Sequence, residues 1–108
     1  NQLARLFFED GDLPQAEREC RTALELDPQL DEAYLTRAQI AGRQGKRGES
    51  LLLLAQAMER QGRLEAALGQ YQKAAAVLGP DSPQAEQIAK EVAELEQLVS
   101  ILQRQRAR

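Results

Sequence analysis

A glycine-centred turn that returns at the ends of helix-patterned segments constrains this chain more than any other feature. It appears as Glu9-Asp10-Gly11-Asp12-Leu13, as Arg43-Gln44-Gly45-Lys46 and as Arg60-Gln61-Gly62-Arg63-Leu64. After the first turn come Ala16, Cys20 and the run Ala23-Leu24-Glu25-Leu26-Asp27-Pro28. After the third come Ala67, Tyr71 and the run Ala74-Ala75-Ala76-Val77-Leu78-Gly79-Pro80. In both blocks the steps are five residues from Gly to Ala, four to the next core residue and three to the second Ala. Fixed offsets of this kind mark one supersecondary unit used more than once. Steps of three and four keep residues on one helix face, and Gly supplies the turn dihedrals. The expectation is an all-α chain of helical hairpins, whose apolar faces are covered by stacking on one another.

With 108 residues the chain can bury one modest core. The apolar fraction is 43%, with two Tyr, two Phe and no Trp, which suits helices packed through Leu and Ala. A net charge of -3 gives no basic footprint for nucleic acid and no reason to expect an anionic membrane surface as partner. Cys20 is the only cysteine, so no internal disulfide forms. That favours a reducing compartment, the cytoplasm, slightly. The longest apolar stretch, Leu51 to Ala55, is far too short to span a bilayer. No signal-peptide pattern is visible. Asn1 is not an initiator Met, however, and the first helix opens already under way, so the chain reads as a piece of a longer protein. A periplasmic origin or a membrane-associated parent therefore stays open.

These motifs resemble the tetratricopeptide repeat, a helix-turn-helix unit of 34 residues. The matching residues are Gly11, Ala16, Cys20, Ala23 and Pro28 in a first unit, and Gly62, Ala67, Tyr71, Ala74 and, one position late, Pro80 in a last one. A middle first helix is similar as well, with Tyr34, Ala38 and Ala41 leading to Gly45. The resemblance covers roughly residues 1 to 80. It implies a single domain forming an α-α superhelix of about three hairpins. Repeat one would span 1–30, a partial repeat two 31–48, repeat three 49–80, and a C-terminal capping helix 83–104.

The middle is irregular. Gly11 to Gly45 is 34 residues, one whole repeat, whereas Gly45 to Gly62 is only 17. Lys46-Arg47-Gly48-Glu49 reads as polar and turn-like where the family pattern calls for a helix. Three arrangements fit. A stretch between about Lys46 and Gly48 is absent, making Ser50 to Gln61 a third first-helix. Alternatively, Glu49 to Arg60 is the second helix of the middle unit, with Ser50, Leu54 and Ala57 at its small, bulky and small positions. The last is a longer helix, or an exchange of helices between chains. In the first case Leu51, Leu52 and Leu54 would need a cover from outside.

The C-terminal segment is of another kind. Ser82 is placed to cap free backbone N–H groups, and Pro83 suits a first helical position. Apolar residues at Ala85, Ile88, Val92, Leu95, Val99 and Leu102 step by 3, 4, 3, 4 and 3. Ala89, Leu98 and Ile101 widen this stripe. The reading is a helix lying over the last hairpin, with Leu98, Ile101 and Leu102 projecting beyond it as candidates for self-association.

An enzyme is not expected. The chain has no His, the usual general base and commonest metal ligand, and its one Cys cannot build a thiolate site. Glu17/Glu19, Asp31/Glu32 and Glu94/Glu96 read as solvated helix faces. Gly42-Arg43-Gln44-Gly45-Lys46-Arg47-Gly48 lacks the Gly-Lys-Ser/Thr and the preceding strand of a phosphate loop. No cofactor or metal is called for.

The resemblance implies a concave face, lined by the first helices, that takes a peptide or an amphipathic helix of another protein. The family's groove positions fall on Arg5, Phe8 and Glu9 in the first unit and on Glu32, Leu35, Thr36, Gln39 and Arg43 in the second. In the third they fall on Glu49, Leu52, Leu53, Gln56 and Arg60. The subset of the family that holds a chaperone's C-terminal carboxylate uses a Lys/Asn/Asn/Lys/Arg clamp. This chain has Arg5, Thr36, Glu49 and Leu53 at four of those positions, and so departs from it. The link Pro80-Asp81-Ser82-Pro83 is loosely similar to bacterial repeat proteins that help assemble cytochromes or envelope complexes. Two functions are expected from these residues: an adaptor binding a peptide or helix in the groove, or a scaffold that self-assembles through the last helix and the incomplete middle.

Overall fold

The computed structural model describes residues 2–27 and 31–107. Pro28, which the resemblance places at the end of the first unit, lies outside the described residues. Among those described, the chain forms six α-helices: α1 (Gln2–Glu9), α2 (Leu13–Leu26), α3 (Asp31–Arg43), α4 (Arg47–Arg60), α5 (Leu64–Leu78) and α6 (Ala85–Arg106).

The three glycine turns share one geometry. Gly11, Gly45 and Gly62 have φ of 81°, 77° and 77°, in the left-handed region where a Cβ would be strained. In each, the next residue's N–H reaches back to a carbonyl in the preceding helix: Asp12 to Phe7 at 2.8 Å, Lys46 to Ala41 at 2.9 Å and Arg63 to Met58 at 2.9 Å. The glycine N–H groups bond to Phe8, Gly42 and Glu59 at 3.1, 3.2 and 3.0 Å. This is the Schellman arrangement, which satisfies the free carbonyls of a helix end while the chain turns back.

Packing follows the same offsets from each glycine. Seven residues before it stand Ala4, Ala38 and Ala55, all buried. Five residues after it stand Ala16, Ser50 and Ala67, the two alanines fully buried. Small side chains at these six places let paired helices approach closely. Ser50 keeps the close approach and adds a bond, its hydroxyl donating to the Ala38 carbonyl oxygen at 2.7 Å.

In the middle of the chain, α4 is one continuous helix packed on both neighbours. Towards α3 it presents Leu54, packed with Leu53 against Tyr34, Ala38 and Ala41. On α5 and α6 the core holds Ala55, Ala67, Tyr71, Ala74, Ile88 and Leu95, and Leu51, Leu52 and Met58 pack against it. Ser50 and Leu54 thus face α3, while Leu51, Ala55 and Met58 face the core shared with α5 and α6. The two stripes are offset by one residue, or about 100° around the helix. One helix packs against both its neighbours in this way, and the leucines expected to need an outside cover find it within the chain.

Three expectations are corrected here. Lys46-Arg47-Gly48-Glu49 is not a polar turn: Lys46 precedes the helix and Arg47 begins it, so the expected boundary at 48/49 falls in the first turn of α4. Gly48 is buried because the Leu78 side chain lies against it; a Cβ there would stand 2.5 Å from Leu78 Cγ and Cδ2. At the other end, Ser82 does not cap α6. Gln84 takes the cap position, Pro83 lies in a turn closed by the Ala85 N–H on the Ser82 carbonyl at 3.1 Å, and the Ser82 hydroxyl is buried with no partner. Finally, α6 does not overhang as expected. Its end runs beside the start of α5, where Arg106 pairs with Glu65 at 2.7 Å and Leu102 is half-buried near Leu64. Leu98 and Ile101 remain exposed, but along the side of α6 and not beyond a stack.

Candidate functional site

The groove expected from the sequence is divided in two by the double packing of α4. One cleft, of about 350 Å³, lies between α1, α3 and the first half of α4. It brings together five of the expected residues, Arg5 from α1 and Glu32, Leu35, Thr36 and Gln39 from α3. From α4 it receives Ser50 and Leu54, which were not expected there. Arg5 and Glu32 approach to 3.8 Å across the mouth, an exposed pair that contributes little to stability. Thr36 is 4% exposed and its hydroxyl bonds back to the Glu32 carbonyl at 3.0 Å, so it shapes the floor more than it offers a donor. The cleft is amphipathic, with Leu35 and Leu54 among polar neighbours.

A second cleft, of about 490 Å³, is lined by Gln56, Glu59 and Arg60 of α4, Tyr71 of α5 and Glu91 of α6. On α4, Gln56 and Glu59 lie about 150° around the helix from Ser50 and Leu54. Gln56 lines this cleft and not the one at Leu35, whereas Arg60 lines it and also reaches Tyr34 on α3. Leu52 and Leu53, expected as aliphatic groove positions, are taken into the packing: Leu53 is 5% exposed against α3, and Leu52 is half-buried towards the Tyr71 core. A helix flanked on two sides has no broad open face left. Glu49 is half-buried and lines neither cleft.

Two arginine–aromatic stacks hold this surface. Arg43, at the end of α3, stands 4.6 Å over the Phe8 ring of α1, and Arg60, at the end of α4, stands 4.6 Å over the Tyr34 ring of α3. Each arginine precedes its turn glycine by two residues. Cation–π contacts at exposed sites are worth about 0.5–1 kcal/mol. Arg60 also donates to the Tyr34 hydroxyl at 2.9 Å. Both arginines, and Phe8, were expected in a groove; they act here as struts between successive helices. Glu9 is exposed at the end of α1.

The second cleft has distinctive electrostatics. The Tyr71 hydroxyl donates to Glu59 Oε1 at 2.7 Å. Burial, then the bond to Glu59 and the nearby carboxylates, raise this phenol far above its ordinary range, so it stays a protonated donor. Burial also raises the Glu91 carboxyl, as do the charges of Glu59 and Glu94, while a bond from Gln87 at 3.0 Å opposes the shift. Nothing in the sequence flagged Glu59 and Glu91 as a pair, since they meet only when α4 and α6 pack on α5. Tyr71 was assigned to the core, where its ring lies; its hydroxyl is the part that reaches the cleft.

A third cleft, of about 730 Å³, is apolar and runs between α5 and α6 past Ala75, Ala76, Ala85, Ala89 and Val92. The Cys20 thiol is fully buried and raised by that burial, the state of an inert core residue. Among the described residues no three His, Cys, Asp or Glu side chains gather as a metal site. No helix among them is long and apolar enough to cross a membrane. Comparison with protein-family models finds no match, and none is found among curated proteins.

Proposed function

We propose that this chain is a tetratricopeptide-type array of helical hairpins that binds a segment of another protein in the cleft between α1, α3 and α4. The observation that carries this reading is the convergence of Arg5, Glu32, Leu35 and Gln39 with Ser50 and Leu54 around one open, amphipathic cleft. Two half-buried leucines framed by a carboxylate, a guanidinium and an amide fit the apolar stripe and polar flanks of a helix. The three matching turns, with small residues at matching offsets, support the family reading.

Selecting displayed random peptides on the folded chain tests the proposal. Enriched peptides should lose at least about tenfold in affinity on Leu35→Glu and on Leu54→Glu, and little on Val77→Glu at an exposed site of α5. Peptides indifferent to the first two changes would sink the reading, provided circular dichroism shows the variants folded.

The self-assembling alternative is favoured by one observation, the exposure of Leu98 and Ile101 at 48% and 45% on one side of α6. Its other support, an incomplete middle, is weakened by the packing of Leu51, Leu52 and Leu54 inside the chain. A chain that stays monomeric by light scattering at high concentration excludes this alternative.

A further inference from the structure

We propose that α6 pairs with the α6 of a second copy of this chain, antiparallel and about a two-fold axis, through Leu98 and Ile101. This deepens the self-assembling reading and rests on it, since it names the partner, the direction of its helix and the charges that set that direction.

The surface is a face of α6 left open by the packing on α5. Ile88, Leu95 and Val99 are buried against the chain's own core. About 110° around the helix from that seam run Glu94, Leu98, Ile101 and Gln105, all exposed. Their steps of 4, 3 and 4 are the spacing at which one helix meets another along its length. Polar residues at both ends confine the apolar contact to Leu98 and Ile101. The pair therefore belongs with weak, concentration-dependent dimers and not with obligate ones.

Charge identifies the occupant. Glu91, Glu94 and Glu96 precede the two apolar residues, and Arg104 and Arg106 follow them. Arg106 is engaged with Glu65 of α5, whereas neither Glu94 nor Arg104 forms an ion pair among the described residues. Arg104 flanks the face one residue before Gln105, and its Nε makes only a long bond to the Ser100 carbonyl of its own helix, at 3.4 Å. A face with acid before its apolar centre and base after it is its own complement when reversed. Centred midway between Leu98 and Ile101, the antiparallel pair sets Leu98 level with the partner's Ile101. Glu94 then stands within about 1.5 Å, measured along the axis, of the partner's Arg104, and the two-fold repeats that pair at the other end. A parallel pair instead sets Glu94 against Glu94 and Arg104 against Arg104, and like charges oppose it.

Charge reversals in the whole chain test this by sedimentation equilibrium at low ionic strength. Glu94→Arg and, separately, Arg104→Glu should each weaken dimerisation by at least about tenfold, because each sets like charges together at both ends of the interface. The variant carrying both changes should return to within about threefold of the parent. Leu98→Glu should leave only monomer. Circular dichroism checks that the variants fold, which the exposure of all three sites favours. A dimer that Leu98→Glu abolishes, but that ignores the single charge reversals or is not restored by combining them, overturns the antiparallel pairing and leaves self-assembly through α6 standing. A dimer that survives Leu98→Glu, or a parent that stays monomeric at every concentration, overturns both. The monomeric result would leave this face to a different protein.

Discussion

The Ser50 hydroxyl of α4 donates to the Ala38 carbonyl oxygen of α3 at 2.7 Å, a direct bond between the two helices. A Cβ on Gly42 would lie only 3.5 Å from the same hydroxyl oxygen. The contact fixes α4 as the closing helix of the α3 hairpin. One residue further on, Leu51 turns towards the core shared with α5 and α6. Close approach, more than the bond itself, sets the requirement at position 50. Ser50→Ala is expected to cost no more than about 1 kcal/mol. Ser50→Leu should cost about 1–3 kcal/mol by forcing α3 and α4 apart. Urea denaturation of the two variants measures both values, and a Leu variant as stable as the parent would contradict this packing.

Gly48 and Gly69 make a matched pair on adjacent helices. Alanine at Gly69 meets nothing within 4 Å, so Gly69→Ala should stabilise the chain by up to about 1 kcal/mol through helix propensity. Alanine at Gly48 meets Leu78 at 2.5 Å, and overpacking of about 1–3 kcal/mol should outweigh the same gain. Thermal melts should therefore move in opposite directions for the two substitutions. Combining Gly48→Ala with Leu78→Ala should cost less than the sum of the single changes.

Glu91 gives the fold a dependence on pH. Its carboxyl is raised in the folded chain, so it favours folding below the ordinary glutamate value of about 4.3, and that contribution is lost as pH rises through the folded value. Glu91→Gln should accordingly raise the melting temperature more at about pH 7 than at about pH 4. A variant that is less stable than the parent at the higher pH would show that Glu91 is held by a compensating charge.

Cys20 is fully buried and its thiol is raised, with burial the largest cause. Alkylation by a neutral maleimide should follow global unfolding, with a rate that rises in parallel with the unfolded fraction under urea. Rapid labelling without denaturant would mean that α1 opens from α2 on its own.

Much of this fold is legible in residue spacing. Gly11, Gly45 and Gly62 mark real turns, and Ala16, Ala67 and Ala74 sit in the core because their offsets from glycine are short-range properties of one hairpin. Gly48 misled because a glycine beside Lys46 and Arg47 has the composition of a loop, whereas its reason is the Leu78 side chain thirty residues away. Ser82 misled for a related cause: the cap signature Ser-Pro is present, but the turn closed on its carbonyl starts the helix two residues later. The candidate clefts were less legible still. Arg5 and Leu35 were placed by register, yet Ser50 and Leu54 enter their cleft only because α4 pairs twice. Glu59 and Glu91 come from helices with an intervening one between them, and no local spacing announces such a pair.

Both clefts require α4 to pack on α3 and on α5 within one molecule, and isotope-filtered nuclear Overhauser spectra test that directly. In uniformly labelled protein, the Leu54 methyls should contact Ala38 or Ala41 while the Leu51 methyls contact the cluster around Tyr71 and Ile88. In an equal mixture of labelled and unlabelled chains, neither set should appear between molecules. Contacts that cross between chains, or the absence of either set, would mean that α4 is exchanged or packed on one side only, and both clefts would fall with it.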